Sequence, residues 1–145
     1  MSFKLLKSKR LFTARVFKLE EETWRGPGEQ VFQRHRIAHP GAVAILPYAR
    51  TNRLVLIRQF RSSVRGTLLE IPAGTLEPGE QPLSCAKREL VEEIGFAASR
   101  WKRLGAVYTA PGFCRELIVL YKALQIRPAY AEADEDEHIE CVEMS

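Results

Sequence analysis

Glu89, Glu92 and Glu93 are the residues of this sequence best placed to do chemistry. They stand at i, i+3 and i+4, so on a helix their carboxylates would project from one face. Like charges at that spacing cost roughly a few tenths of a kcal/mol per pair unless something neutralises them. Arg88 lies four residues before Glu92 and is placed to pair with it. A divalent cation would neutralise more, because Mg²⁺ takes hard carboxylate oxygens. The plainer alternative is a solvated face of mixed charge.

The surrounding pattern supplies the helix that this reading needs. Pro82 suits a first helical position, where its missing N–H costs nothing. Leu83, Ala86, Leu90 and Ile94 follow at helical spacing, and Gly95 reads as the glycine just past the end. Before the helix, residues 74–81 carry Gly, Pro and Gly and read as a loop. Strands are expected over Leu11–Leu19 and Gln30–Ile37, around a turn at Trp24-Arg25-Gly26-Pro27-Gly28. A second pair runs over Ala42–Pro47 and Arg53–Gln59, the first almost wholly apolar and so suited to burial on both faces. Thr67–Ile71, Leu104–Thr109, Leu117–Leu124 and Ile139–Glu143 complete the set. A mixed sheet carrying one prominent helix follows, an α/β or α+β domain.

From Gly74 the sequence runs Gly, five residues, Glu80, seven residues, Arg88-Glu89-Leu90, one residue, Glu92-Glu93, one residue, Gly95-Phe96. This resembles the Nudix box, GX5EX7REUXEEXGU with U a bulky apolar residue, at every specified position. Chance would produce such a match with a probability on the order of 10⁻⁷. The resemblance implies an α/β/α sandwich with a mixed β-sheet and an N-terminal antiparallel hairpin region. It implies Mg²⁺ or Mn²⁺ as cofactor, held by Glu89, Glu93, the backbone carbonyl of Ala73 and Glu92, the last as ligand or close supporter. Arg88 and Glu80 resemble the ion pair that fixes loop to helix, and Gly74 the position where the backbone comes close to its ligand. The chemistry implied is phosphoanhydride hydrolysis by in-line attack of water, and no Ser/His/Asp or Cys/His arrangement competes with it.

Outside the box, Pro111 follows Phe96 by 15 residues within Ala-Pro-Gly-Phe. This is similar to the Ser-Pro-Gly-Phe marker of the ADP-ribose pyrophosphatase branch, with Ala110 replacing serine; a loop proline is the bland reading. His39-Pro40-Gly41-Ala42-Val43, Arg58-Gln59-Phe60-Arg61 and Leu69-Glu70-Ile71-Pro72-Ala73-Gly74 resemble the same branch. By that resemblance Arg61 and Glu70 would contact phosphates and ribose, and Arg34 or Arg36 would add a second cation. Trp24 is a candidate for stacking on the base, or else packs in a hairpin or dimer interface. Five acids fall between Glu132 and Glu137, by default a solvated loop. In the branch a glutamate of this late loop acts as general base or adds a metal ligand, which points to Glu137, with Glu135 second; Glu92 on the box helix is a further catalytic candidate. The implied substrate is ADP-ribose, giving AMP and ribose 5-phosphate. GDP-mannose or another nucleotide sugar is an alternative, as is a non-catalytic nucleotide-sugar sensor. The branch commonly forms homodimers with exchanged N-terminal segments, so residues 1–40 are expected as an N-terminal strand region and 41–145 as the Nudix domain. Its members usually continue into a C-terminal helix, whereas this sequence stops at Ser145.

Bulk properties agree. The 145 residues suit one core. A net charge of +4 and a pI near 9.1 favour an anionic partner. The Lys and Arg residues are dispersed rather than striped, so a small phosphorylated ligand is expected and nucleic acid is not. No apolar run reaches the roughly 18 residues of a membrane span, and no secretory signal is evident. The basic N-terminus (Lys4, Lys7, Lys9, Arg10) could pass for a transit peptide but reads better as a strand. Cys85, Cys114 and Cys141 lack metal spacing and are expected to be reduced thiols of a cytoplasmic protein. His35 and His39 are expected to be structural.

Overall fold

Charge and apolar pattern divide the chain between two kinds of sheet. The computed structural model describes residues 2–50, 52–130 and 139–144. It folds as two compact units, Met1–Gly41 with Val107–Ile118, and Ala42–Ala106 with Val119–Ser145.

In the first unit, β1 (Lys4–Thr13), β2 (Lys18–Arg25) and β3 (Val31–Ala38) form an antiparallel sheet in that order. Opposite charges face one another across β1 and β2, with Lys9 opposite Glu21 and Arg10 opposite Glu20. The strand expected over Leu11–Leu19 is broken by a turn in which the Ala14 N–H donates to the Phe17 carbonyl (2.9 Å). The next turn lies two residues later than expected. Gly26 N–H donates to the Gln30 carbonyl (3.0 Å), and Trp24 and Arg25 continue β2. The segment after residue 108 docks on the end of β3. Ile37 N–H donates to the Phe113 carbonyl (2.7 Å), and Arg115 N–H to the Ile37 carbonyl (2.9 Å).

In the second unit, β4 (Ala42–Arg50) pairs antiparallel with β5 (Arg53–Arg61), and β5 with β6 (Gly66–Glu70). The short β7 (Ala73–Thr75) pairs with β4, so the expected loop from Gly74 opens on a strand. α1 (Pro82–Ile94) follows, then β8 (Phe96–Tyr108), β9 (Leu117–Pro128) and β10 (Ile139–Met144). The sheet is mixed, ordered β10-β5-β4-β9-β8 with β6 on β5 and β7 on β4. Among the described residues α1 is the only α-helix. β8 starts directly after the helix, eight residues before the expected Leu104, because Gly95 turns the chain at once. Its φ of 70° caps the helix, and its N–H returns to the Val91 carbonyl (2.9 Å).

The core lies between α1 and the sheet. Cys85, Ala86, Leu90 and Ile94 form the apolar stripe of the helix and pack on Val43, Ile45, Val55 and Ile57. The apolar run of β4 is buried almost throughout, as its composition requires. Each large side chain buried here contributes roughly 1.5–3 kcal/mol. That packing holds the helix against β4, so the side chains on its flank have a fixed frame. No helix among the described residues is long and apolar enough to cross a membrane.

Candidate active site on the acidic helix

The segment before the helix is anchored from two sides. Ile45 N–H donates to the Pro72 carbonyl (2.8 Å), and Val43 pairs with Gly74 across β4 and β7. From the helix, the Glu93 carboxylate accepts the Ala73 N–H at 2.9 Å. Glu93 is 8% exposed, so this charged group is held inside the protein next to the backbone it bonds. Gly74 faces the preceding turn of the helix. A Cβ there would overlap the Glu89 carboxylate, so only glycine lets strand and side chain approach this closely.

Arg88 organises the remaining acids. Its Nε and Nη2 donate to Glu80 (3.1 and 3.0 Å), and its Nη1 to Glu89 (2.8 Å) and Glu92 (2.9 Å). Nη2 also reaches the Thr75 carbonyl at 3.3 Å. The expected loop–helix pair Glu80–Arg88 and the i,i+4 pair Arg88–Glu92 are therefore both present. The Arg88 guanidinium draws the Glu80 carboxyl down to about 2, against the cost of burial. The same bonds raise Arg88 above its usual range. Burial pushes the Cys85 thiol up to about 12, and the charges of Glu80 and Glu89 add to this, so it serves as an apolar filler. Cys85, Cys114 and Cys141 are all free thiols.

The Glu80 shift has a sign that can be tested. A carboxyl with a lowered folded-state pKa stabilises the fold above its unfolded value and loses that contribution as pH falls through the folded value. Between pH 4.5 and about 2, in a chelator-containing buffer, the wild type should lose thermal stability more steeply than Glu80→Gln. Melting temperatures across that range check this, and parallel slopes for the two proteins would refute it.

Among the described residues no three His, Cys, Asp or Glu side chains converge in a metal-holding arrangement. Glu89 and Glu92 are turned onto Arg88, and Glu93 onto Ala73. The donor chemistry nevertheless suits a hard cation. One guanidinium meets the carboxylates of Glu80, Glu89 and Glu92, with Glu93 one helical turn beyond Glu89, and every donor is oxygen. Elsewhere in this unit, Arg61 and Glu70 form a forked pair across β5 and β6, with Nη2 2.7 Å from Oε2 and Nε 3.1 Å from Oε1. These two residues hold each other, and the pair is half-exposed.

In the first unit a pocket of about 350 Å³ brings together Trp24, Arg34, Arg36 and Pro111. Arg36 is committed to carboxylates, at 2.7 Å from Glu20 and 2.9 Å from Glu22. Arg34 instead rests on neutral partners, donating to the Gln33 carbonyl (2.8 Å) and lying 4.7 Å from the centre of the Phe32 ring. Trp24 Nε1–H donates to Glu22 at 2.9 Å, which orients the indole. Sequence reasoning missed Glu22, Tyr108 and Arg115 in this lining, and did not single out Phe113. Glu22 had a usable signal, being two residues before Trp24 and so on the same strand face. Phe113 stood in the Ala-Pro-Gly-Phe run. His35 lies 3.4 Å from Glu21 and His39 3.7 Å from Glu116. Glu135 and Glu137 lie outside the described residues.

Comparison with known proteins identifies the family and the fold. The family model described as NUDIX domain matches residues 38–145. The chain is 38% identical over 144 residues to a methanol dehydrogenase activator of Bacillus methanolicus, spanning 98% of this chain and 78% of the relative. It is 36% identical over 144 residues to an ADP-ribose pyrophosphatase of Bacillus subtilis (strain 168), spanning 98% of this chain and 78% of the relative. The crystal structure of an ADP compounds hydrolase matches with a TM-score of 0.86 and 26% identity, over 99% of this chain and 78% of that one.

Proposed function

Since the chain belongs to the NUDIX domain family and is a Nudix hydrolase, we propose that it hydrolyses the pyrophosphate bond of a nucleoside diphosphate sugar, with ADP-ribose as leading substrate and AMP and ribose 5-phosphate as products. The observation that carries this reading is the set of carboxylates gathered on one guanidinium beside a glycine that admits Glu89 to the backbone. Similarity to the ADP-ribose pyrophosphatase of Bacillus subtilis supports the choice of sugar nucleotide.

Glu89, Glu93, Glu92 and the Ala73 carbonyl would hold a divalent cation, Mg²⁺ or Mn²⁺. Such an ion supplies charge neutralisation at the diphosphate oxygens and lowers the pKa of an attacking water. The chain's own residues do the rest. Arg88 and Glu80 tie loop to helix, so the acidic side chains keep their aim. Arg61 and Glu70 contact the phosphates and ribose of the ligand. Glu137, with Glu135 as the second choice, takes the proton from water; a positioned base contributes roughly 10²–10⁴ in rate. In the first unit, Trp24 stacks on the base and Arg34 is the better placed of the two candidate cations, because Arg36 already serves Glu20 and Glu22.

We further propose that the N-terminal region, residues 1–40, serves a homodimer. β1 exposes Leu5, Leu6, Leu11 and Phe12, apolar area that a partner copy would cover. The proposed setting is the cytoplasm, where three free thiols stay reduced.

Product analysis tests the activity. Purified protein with Mg²⁺ is incubated separately with ADP-ribose, GDP-mannose and a nucleoside triphosphate. Fastest turnover of ADP-ribose to AMP and ribose 5-phosphate is the expected outcome. Faster turnover of GDP-mannose would move the substrate assignment and keep the chemistry. Tight binding without turnover of any of them would replace the enzyme reading with that of a sensor.

A further inference from the structure

We propose that Glu116 is a positioning residue, which latches the loop from Thr109 to Glu116 so that Pro111, Phe113 and Arg115 form the wall of the pocket in the first unit. The proposal rests on the reading of that pocket as the nucleotide site.

The loop needs such a device. It carries Pro111-Gly112, contributes half the named lining of the pocket, and leaves Phe113 60% exposed, so little apolar burial holds it in shape. What holds it is polar and lies at its base. Glu116 Oε2 accepts from the Thr109 hydroxyl at 2.7 Å, while the Thr109 N–H donates to the Glu116 carbonyl at 3.3 Å. The same pair of residues therefore closes the loop through both main chain and side chain. Glu116 Oε1 faces His39 Nε2 at 3.7 Å. His39 Nδ1 accepts the Gly41 N–H at 3.1 Å, so in the neutral ring the proton sits on Nε2 and points toward Glu116. Between these ends, two backbone bonds through Ile37 dock Phe113 and Arg115 on β3. Glu116 thus joins the loop's first residue to the His39 end of β3. It is absent from the pocket lining, so its effect on a ligand passes through the loop.

A change that frees the loop should weaken binding without touching the bond-breaking step. Glu116→Ala and Thr109→Val should each raise KM for ADP-ribose about tenfold with kcat within about twofold, the size expected for one charge-assisted hydrogen bond. The double variant should be no worse than Glu116→Ala alone, because the partner of the Thr109 hydroxyl is already gone. Thr109→Ser, which keeps the hydroxyl, should restore wild-type KM. AMP binding, read by Trp24 fluorescence, should weaken in step with KM. Amide exchange at Phe113, Cys114 and Arg115 should accelerate in both single variants, which a residue acting directly on substrate would not cause.

A fall in kcat at unchanged KM, additive effects in the double variant, or wild-type exchange at those three amides would each overturn the proposal. Failure of the wild type to bind AMP would instead overturn the nucleotide reading of the pocket. The exchange rates would still decide whether Glu116 holds the loop.

Discussion

Glu93→Gln should lower kcat by on the order of 10² or more while the protein stays folded. The argument is that the exchange separates charge from shape. Glu93 is buried, and one carboxylate oxygen accepts the Ala73 N–H at 2.9 Å. Glutamine has the same length and can present its amide oxygen to that N–H, so the anchor between helix and strand survives. What disappears is the negative charge, on which a hard cation depends. Steady-state kinetics with Mg²⁺, run beside thermal melts, make the distinction. Wild-type rates in this variant would remove Glu93 from the site, whereas lost activity with a collapsed melting temperature would make it a folding residue.

Gly74→Ala should cost about 10–100-fold in activity, with a change in melting temperature of only a few degrees. The added methyl would collide with the end of the Glu89 side chain. A flexible side chain can swing aside at small cost to the fold, but its carboxylate then leaves the place where Arg88 holds it. Because aim is lost and the ligand remains, raised Mg²⁺ should recover part of the rate. Activity equal to wild type would show that the Glu89 position is not needed. A large loss of stability would show that the strand, and not the side chain, absorbs the collision.

Much of the second unit could be read from the sequence because its signals are local. A proline at the start, an apolar stripe and a terminal glycine specify α1 through backbone bonds and side chains within one turn of each other. Spacing alone put Arg88 beside Glu92, and the fold kept that contact at 2.9 Å. The first unit was harder. The run from Leu11 to Leu19 looks like one strand because its residues all tolerate extended backbone, and the turn at Ala14–Phe17 carries no glycine or proline to mark it. β7 was hidden for the opposite reason. Gly74 suggested a loop, although pairing with β4 extends it.

Helix α1 and the acids on one of its faces were legible in the sequence from periodicity, and the Glu80–Arg88 pair was implied by the resemblance to the Nudix box. Which acids Arg34 and Arg36 meet depends on the fold, not on any local signal. Both point to one face of β3, because side chains alternate along a strand. Glu20 and Glu22 on β2 claim Arg36, through the register that sets Glu20 opposite it. Likewise the meeting of Trp24 with Pro111 and Phe113 depends on the loop docking on Ile37. Such contacts join residues far apart in the chain, and their energy exists only once the sheet between them has formed.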